Sequence, residues 1–442
     1  MIVMKFGGTS VGSANRLKTI VELIRQRQAD SPVVVLSAVS KMTDALIAAA
    51  YSAVHGKSDI SAIEQRHIQI LDELGIDSST MKPYFKELNN ELQHISGFAR
   101  LTPQLLDSVV SYGERLSVRM FSLYANRQGL STRAIDAFEV GMLTDNRFGK
   151  SEVLPEAYAE LNKNLTVLLN EGKIPIITGY IGKSKGGQIT TLGRGGSDYS
   201  AAIIGAAIRA KEIQIWTDVN GVMTADPKIV PQAKTVELVS FDEASELSYF
   251  GAKVLHPKTL LPAMSHDIPV RVLNTFNPDS PGTKILRKVS NGQAVKAIAS
   301  KKGVTLITIK STRMLLAHGF LHRVFKIFDE KEVSVDMIAT SEVSVSLTLD
   351  RGRDIEGVVK ELQSFAEVRL EHNRASVSLV GEEIRGNTEI AQKIFNALTN
   401  ANIPVEMISQ GASEVSFGFV VDNSKADDAV RALHKTFFEV EQ

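Results

Sequence analysis

Cysteine is absent from the 442-residue chain. That removes disulfides, thiolate metal sites and cysteine nucleophiles at once, and it fits a reducing compartment. Charge imbalance is absent too. Lys+Arg and Asp+Glu number 50 each, so no overall basic field points to nucleic acid or an acidic membrane, and any site charge has to be local. No apolar stretch approaches the roughly 20 residues that span a bilayer. No signal-peptide pattern opens the chain, because Lys5 and Gly7-Gly8 break the first apolar run. A soluble, cytoplasmic protein of two or three domains, each with its own core, is expected.

What is present begins at the N-terminus. Ile2-Val3-Met4-Lys5-Phe6-Gly7-Gly8-Thr9-Ser10 reads as a buried strand that ends in a lysine and two glycines. Thr9 or Ser10 is placed to cap a helix carrying Leu17, Ile20, Val21 and Ile24 at helical spacing. Strand, glycine turn and helix start aim backbone N–H groups and a cation at one point, which suits a polyphosphate. The pattern is neither G-x-x-x-x-G-K-S/T nor G-x-G-x-x-G. Taken alone, it fits an ordinary tight turn of a βα unit equally well.

The first two-thirds of the chain alternates strands and helices. Strands are expected at 33–36, 174–179 and 212–216, and helices at 105–127, 152–170 and 198–210. Alternation of this kind indicates an α/β layer fold with a mainly parallel sheet. Residues 56–104 are helical and polar, and read as a peripheral insertion. A turn-rich stretch, Asn277-Pro278-Asp279-Ser280-Pro281-Gly282, followed by polar residues to Gln293, marks a domain boundary.

Beyond it lies an internal repeat. Phe325–Ile338 matches Phe395–Ile408 at a spacing of about 70 residues, Ser341-Glu342-Val343-Ser344 recurs at 413–416, and Asp350 recurs as Asp422. Residues 304–309 have their counterpart at 375–380. Each copy reads strand, helix, strand, strand, helix, with a closing strand: helices on one face of an antiparallel sheet. With no nucleophile, base or metal cluster evident, the pair reads as a sensor or a dimerisation unit, or as a purely structural duplication.

Chemistry concentrates upstream. Thr190-Thr191-Leu192-Gly193-Arg194-Gly195-Gly196-Ser197-Asp198 is a second glycine turn feeding a helix, with Ser197 or Asp198 as cap. Arg194 is suited to a two-point grip on a carboxylate, and Asp198 to orienting an ammonium or the phosphoryl machinery. The polar loop Trp216–Lys228 follows a strand, where α/β proteins bind ligands. Lys228 and Lys253 are within reach of phosphates there, or are simply solvated. Glu114 in Ser111-Tyr112-Gly113-Glu114 is a candidate for an ammonium, and His256 reads as structural.

Together, Lys5-Phe6-Gly7-Gly8-Thr9-Ser10, Ser111-Tyr112-Gly113-Glu114, Thr191–Asp198, Trp216-Thr217-Asp218-Val219 and Phe250–Pro257 resemble aspartokinase, in order and along the whole chain. The resemblance is to the monofunctional, lysine-sensitive branch. It implies an amino-acid-kinase αβα sandwich with a mostly parallel sheet, residues 1–286, followed by two α+β, ferredoxin-like ACT modules. The first module, 311–372, would sit inside the second, 295–310 with 373–442. It implies transfer of the γ-phosphoryl of ATP, carried with Mg2+, to the side-chain carboxylate of L-aspartate, the first step toward lysine, threonine, methionine and diaminopimelate. No metal ligands from protein side chains are implied.

The roles carried over are these. Lys5 and Asp198 are catalytic. Thr43, Glu114, Arg194, Ser197 and Asp198 bind aspartate, with Arg194 on the α-carboxylate and Glu114 on the ammonium. Lys5, Gly7, Gly8, Thr217, Asp218, Met223, Lys228 and Lys253 hold ATP, although relatives often have tyrosine in place of Met223 and arginine in place of Lys228. The feedback effector, L-lysine, maps onto Met314, Ala317, Gly319, Phe320, Leu321, Val335, Asp336, Ser341 and Glu342. A homodimer or homotetramer through the ACT modules is implied.

Overall fold

A computed structural model describes the chain except residues 251–254, 256, 290–291, 312–317, 351–354, 383, 411–412 and 440–442. It divides into two compact units, residues 1–221 with 254–288, and residues 222–253 with 289–442.

The first unit opens on β1 (Ile2–Phe6), buried along its length, and α1 (Ala14–Gln26), which turns Leu17, Ile20, Val21 and Ile24 inward. There follow β2 (Pro32–Leu36), α2 (Met42–Val54), α3 (Ser61–Glu73), α4 (Lys82–Phe98), α5 (Pro103–Val110) and α6 (Tyr112–Arg127). Next come β3 (Thr132–Ile135), β4 (Leu143–Thr144), α7 (Ala157–Asn170), β5 (Ile174–Thr178), β6 (Ile181–Ser184), β7 (Ile189–Thr191), α8 (Gly196–Ala207) and β8 (Glu212–Thr217). The second unit takes β9 (Leu238–Ser240) and α9 (Phe241–Tyr249); the first resumes with α10 (Pro257–Ser265), β10 (Val270–Asn274) and β11 (Thr283–Leu286).

The main strands of the first unit run in the order β3-β5-β2-β1-β8-β10-β11. Every pairing among them is parallel except β10 with β11. A parallel sheet buried on both faces needs near-continuous apolar strands, which is why Pro32-Val33-Val34-Val35-Leu36 and Ile174-Pro175-Ile176-Ile177 read so plainly. β1 lies at the centre, with Lys5 opposite Val35 on one side and Ile215 on the other. Its glycine turn therefore opens at the carboxyl edge of the sheet, the place where such sheets bind ligands. Strands β4, β6 and β7 form a separate small sheet.

Two expectations change. The helix expected over 105–127 is divided at Ser111, whose hydroxyl donates to the Ser108 carbonyl at 2.6 Å and competes with the backbone ladder. Residues 56–104 are no peripheral insertion. Helices α3 and α4 bury Ile63, Ile70 and Leu71, and Phe85, Leu88, Leu92 and Ile95, in the same core as β1, β2 and α6. Their polar outer faces dominate the composition, while the inner stripe keeps helical spacing.

The second unit continues with β12 (Ala297–Lys310), α11 (Phe320–Glu330), β13 (Val335–Thr340), β14 (Ser344–Leu349), α12 (Ile355–Leu362), β15 (Glu367–Val380), α13 (Thr388–Asn400), β16 (Met407–Ser409), β17 (Ser416–Asp422) and α14 (Ala426–His434). Its antiparallel sheet runs β13-β14-β12-β15-β17-β16. The repeat explains the order. The start of β12, Ala297–Lys302, pairs with Ala375–Val380, and its end, Thr305–Lys310, pairs with β14. Each long strand thus serves both copies, bent at the register shift between Lys302 and Val304. One core gathers around Phe417, Phe419 and Leu433, the other around Val324, Leu347 and Leu362.

An ion pair is buried in this unit. Lys296 Nζ lies 2.9 Å from Glu243 Oε1, both side chains being at most 2% exposed. Glu243 also closes a capping box with Ser240 at the start of α9. Removing one partner strands a buried charge, so Lys296→Ala is expected to cost about 3–5 kcal/mol in urea unfolding. The double variant Lys296→Met/Glu243→Leu is expected to recover most of that loss.

Candidate functional site

The N-terminal turn forms differently from the expected capped helix. Helix α1 starts only at Ala14, behind Ser13, and neither Thr9 nor Ser10 caps it. Ser10 is buried instead, its hydroxyl 2.8 Å from that of Thr275. Gly7 N donates to the Trp216 carbonyl at 3.2 Å, tying the turn to the end of β8. A Cβ on Gly8 would stand 2.9 Å from the Ala38 carbonyl oxygen. Only glycine lets the two strand-end loops approach so closely.

The second glycine turn also differs in its cap. Gly195, at φ +71°, occupies the N-cap of α8, so Ser197 and Asp198 lie inside the first helical turn. That turn favours an acidic residue through the helix dipole. Asp198 reaches across to β1, where its Oδ1 is 2.5 Å from Lys5 Nζ. The pair joins the two glycine turns that sequence reading treated separately.

Glu114 stands in the first turn of α6 and is 3% exposed. Its Oε1 accepts from Ala38 N at 3.1 Å, while Oε2 has no hydrogen-bond partner among the described residues. Burial pushes its pKa up to about 8, against the pull of the Ala38 amide and the Lys5 charge. A buried carboxylate with one free oxygen is shaped to receive a cation.

These groups share one cleft of about 610 Å³, lined by Lys5, Gly8, Thr43, Glu114, Arg194, Ser197 and Asp198 among others. Sequence reading missed Gly149 and Tyr180 in its wall and did not single out Lys41. Lys41, a non-glycine residue at φ +68°, starts α2 in a loop that follows β2. Its position after a buried strand was the available signal.

Other candidates lie elsewhere. Gly7 borders the cleft, its Cβ position 3.5 Å from Lys5 Nζ. Thr217 and Asp218 end β8, the neighbour of β1, and the Thr217 hydroxyl donates to Asp218 at 3.2 Å. Met223 and Lys228 belong to the second unit. Met223 pairs with Thr235 in an isolated bridge, and Lys228 is exposed in a turn where its N–H donates to Asp226 at 2.9 Å. Lys253 and His256 lie outside the described residues, as do Met314 and Ala317.

Among the remaining effector candidates, Gly319, Phe320 and Leu321 begin α11, Val335 and Asp336 begin β13, and Ser341 and Glu342 form the turn to β14. Asp336 is already engaged: Tyr249 Oη donates to its Oδ1 at 2.6 Å, and Lys301 Nζ lies 2.9 Å from its Oδ2. The Ser341 hydroxyl accepts from Ser344 N at 3.1 Å.

Comparison with known proteins adds the following. The amino acid kinase family matches residues 1–274, and an ACT domain matches 377–437. The chain is 44% identical to Aspartokinase 1, chloroplastic, of Arabidopsis thaliana, over 99% of its own length and 80% of the relative's. It is 37% identical to Lysine-sensitive aspartokinase 3 of Escherichia coli, over 99% of both. E. coli aspartokinase III in complex with aspartate and ADP, in the R-state, superposes with a TM-score of 0.87 at 34% identity, covering 99% of this chain and 100% of that one. The same enzyme in complex with lysine and aspartate, in the T-state, gives 0.82 at 34% identity, with 99% of each chain covered.

Proposed function

This chain belongs to the aspartokinase family and is an aspartate kinase; from that premise we propose which of its residues carry the reaction, what regulates it, and how it assembles. The reaction moves the γ-phosphoryl of MgATP to the side-chain carboxylate of L-aspartate, opening the route to lysine, threonine, methionine and diaminopimelate. Residues 1–286 form the catalytic domain, 311–372 the first ACT module, and 295–310 with 373–442 the second.

The observation that carries the site assignment is the convergence of Lys5, Asp198, Arg194 and Glu114 on one cleft at the carboxyl edge of β1. Arg194 takes the α-carboxylate of aspartate and Glu114 its ammonium, with Thr43 and Ser197 completing the pocket. The acceptor carboxylate is already ionised at neutral pH, so no general base is needed. Rate then comes from alignment and charge neutralisation. Lys5, held by Asp198, faces the transferring phosphoryl, and the backbone at Gly7 and Gly8 approaches the phosphates. Thr217 and Asp218 serve the nucleotide, and Mg2+ arrives with it. ATP-dependent formation of aspartyl hydroxamate by the purified protein tests this reading. Absence of that product, with turnover of another amino acid, overturns the substrate assignment.

L-Lysine is the proposed feedback inhibitor, acting at the start of α11, β13 and the turn after it. Its ammonium would take over Asp336, which Lys301 holds in this structure. Lysine is expected to inhibit, and Asp336→Ala to raise the half-inhibitory concentration by at least about tenfold, the worth of one charge-assisted hydrogen bond. Inhibition by threonine alone would redirect the assignment.

The chain is proposed to act in the cytoplasm, which suits a protein without cysteine. It assembles as a homodimer or homotetramer through its ACT modules. β13 and β16, the terminal strands of the sheet, meet one another, the Ser409 hydroxyl donating to the Ile338 carbonyl at 3.3 Å, and Ile338 and Ile408, matching residues of the repeat, are each 42% exposed beside that contact.

A further inference from the structure

Asp107, on α5, is 3% exposed. Its Oδ2 accepts from Gly149 N at 2.9 Å and from Thr191 N at 2.8 Å, and its Oδ1 accepts from the Thr191 hydroxyl at 2.9 Å. A buried carboxylate is costly unless it is hydrogen-bonded, and here all three donors come from two segments distant in sequence, the Gly149 turn and the end of β7. Burial pushes its pKa up, and the same three donors hold it down.

Each segment it ties together carries part of the cleft. Gly149 lines the cleft beside Gly193 and Arg194, and a Cβ on Gly193 would lie 3.1 Å from the Gly149 carbonyl oxygen. Thr191 is the last residue of β7 and leads directly into Gly193-Arg194. On the other side, Ser111 N donates to the Asp107 carbonyl at 3.1 Å, carrying α5 into the turn that holds Glu114. One side chain thus fixes the Arg194 loop to the helix pair that presents Glu114.

We propose that Asp107 is a positioning residue that sets the separation between Arg194 and Glu114, and so the seat of the acceptor amino acid. The inference rests on the aspartate-binding roles proposed above. Aspartate is short. With both α-groups gripped, its side-chain carboxylate meets the phosphoryl only if the two grips are correctly spaced. A displacement of about 1 Å costs on the order of 10²-fold in such alignments.

The test compares Asp107→Ala with Asp107→Asn. The asparagine carbonyl accepts both backbone N–H groups, and its NH2 donates to the Thr191 hydroxyl, which turns to accept; no bond is lost. In Asp107→Ala, kcat/KM for aspartate is expected to fall at least about tenfold while KM for ATP stays within about twofold. Asp107→Asn is expected to stay within about threefold of the unsubstituted enzyme on both substrates. A purely structural role would lower stability and leave the ratio of the two substrate effects unchanged.

Hydrogen exchange provides a readout independent of turnover. The amides of Gly149 and Thr191 should lose protection in Asp107→Ala and keep it in Asp107→Asn. If the unsubstituted protein fails to phosphorylate aspartate, the substrate reading falls, and the exchange result still shows whether Asp107 holds the two segments together. Should the alanine variant not fold, Thr191→Val removes one donor and is expected to raise the aspartate KM about two- to fivefold. Unchanged amide protection, or equal losses for aspartate and ATP, overturns the proposal.

Discussion

Lys5→Ala is expected to lower kcat by about 10²–10³-fold, the usual loss when one preorganised charge-stabilising donor is removed from a transition state. In phosphoryl transfer little covalent work falls to the protein, so a fixed cation between donor and acceptor supplies much of what it contributes. Lys5 meets the geometric requirement: Nζ is held 2.5 Å from Asp198 Oδ1, with the two side chains only 10% and 17% exposed. The fold is expected to survive. β1 is paired through its backbone to β2 and β8 on both sides, and neither ladder uses the lysine side chain. The Asp198 oxygen that faces Lys5 is buried and would lose its ion partner, so a stability loss of up to about 3–5 kcal/mol is expected alongside the loss of activity. Hydroxamate kinetics beside far-UV circular dichroism and a thermal melt measure both halves. Near-normal kcat in a folded variant would remove Lys5 from its role.

The aspartate KM is expected to fall about tenfold per pH unit between roughly pH 6 and pH 8, and to level off above. The cause is Glu114. Burial pushes its pKa up to about 8, so at pH 7 only about one site in ten carries the charge that an ammonium requires. Substrate binding has to drive off that proton, and the cost fades as pH rises. Glu114→Gln should raise KM strongly at pH 8.5 and little at pH 6, where the unsubstituted enzyme is already neutral at this position. Stability carries the opposite sign. A folded-state pKa raised from 4.5 to about 8 contributes stability that is whole below pH 4.5 and is lost as pH climbs through 8. Without aspartate, Glu114→Gln should therefore gain in melting temperature relative to the unsubstituted protein as pH rises. A KM that stays flat from pH 6 to 8.5 contradicts this account.

The fold was legible wherever local rules and tertiary demand coincide. The buried strands of the parallel sheet are continuous apolar runs, and the repeat announced a duplicated antiparallel module. Reading failed where a side chain serves a distant partner. Thr9 and Ser10 look like caps, yet Ser10 is spent on Thr275. Ser197 and Asp198 look like caps, yet Gly195 takes that position and Asp198 turns to Lys5. α3 and α4 look peripheral because their outer faces are polar, while Phe85, Leu88, Leu92 and Ile95 are core. Asp107 gave no signal, being one acid in an otherwise apolar helix face, and only its three donors mark it.

By itself, the sequence determined the alphabet of the site: a lysine before one glycine turn, an arginine and an aspartate in another, a glutamate at a helix start, and no thiol or triad to suggest other chemistry. Motif order along the chain was enough to name the family, because each motif is a local strand-end or helix-start device. The tertiary structure decided which of these groups meet. Placing β1 between β2 and β8 brings loops far apart in sequence to one edge. That juxtaposition pairs Lys5 with Asp198, buries Glu114 against Ala38 with one oxygen unused, and staples the Arg194 loop to α5. Pairing, burial and the shifted pKa arise from packing between segments, which no spacing within a segment records.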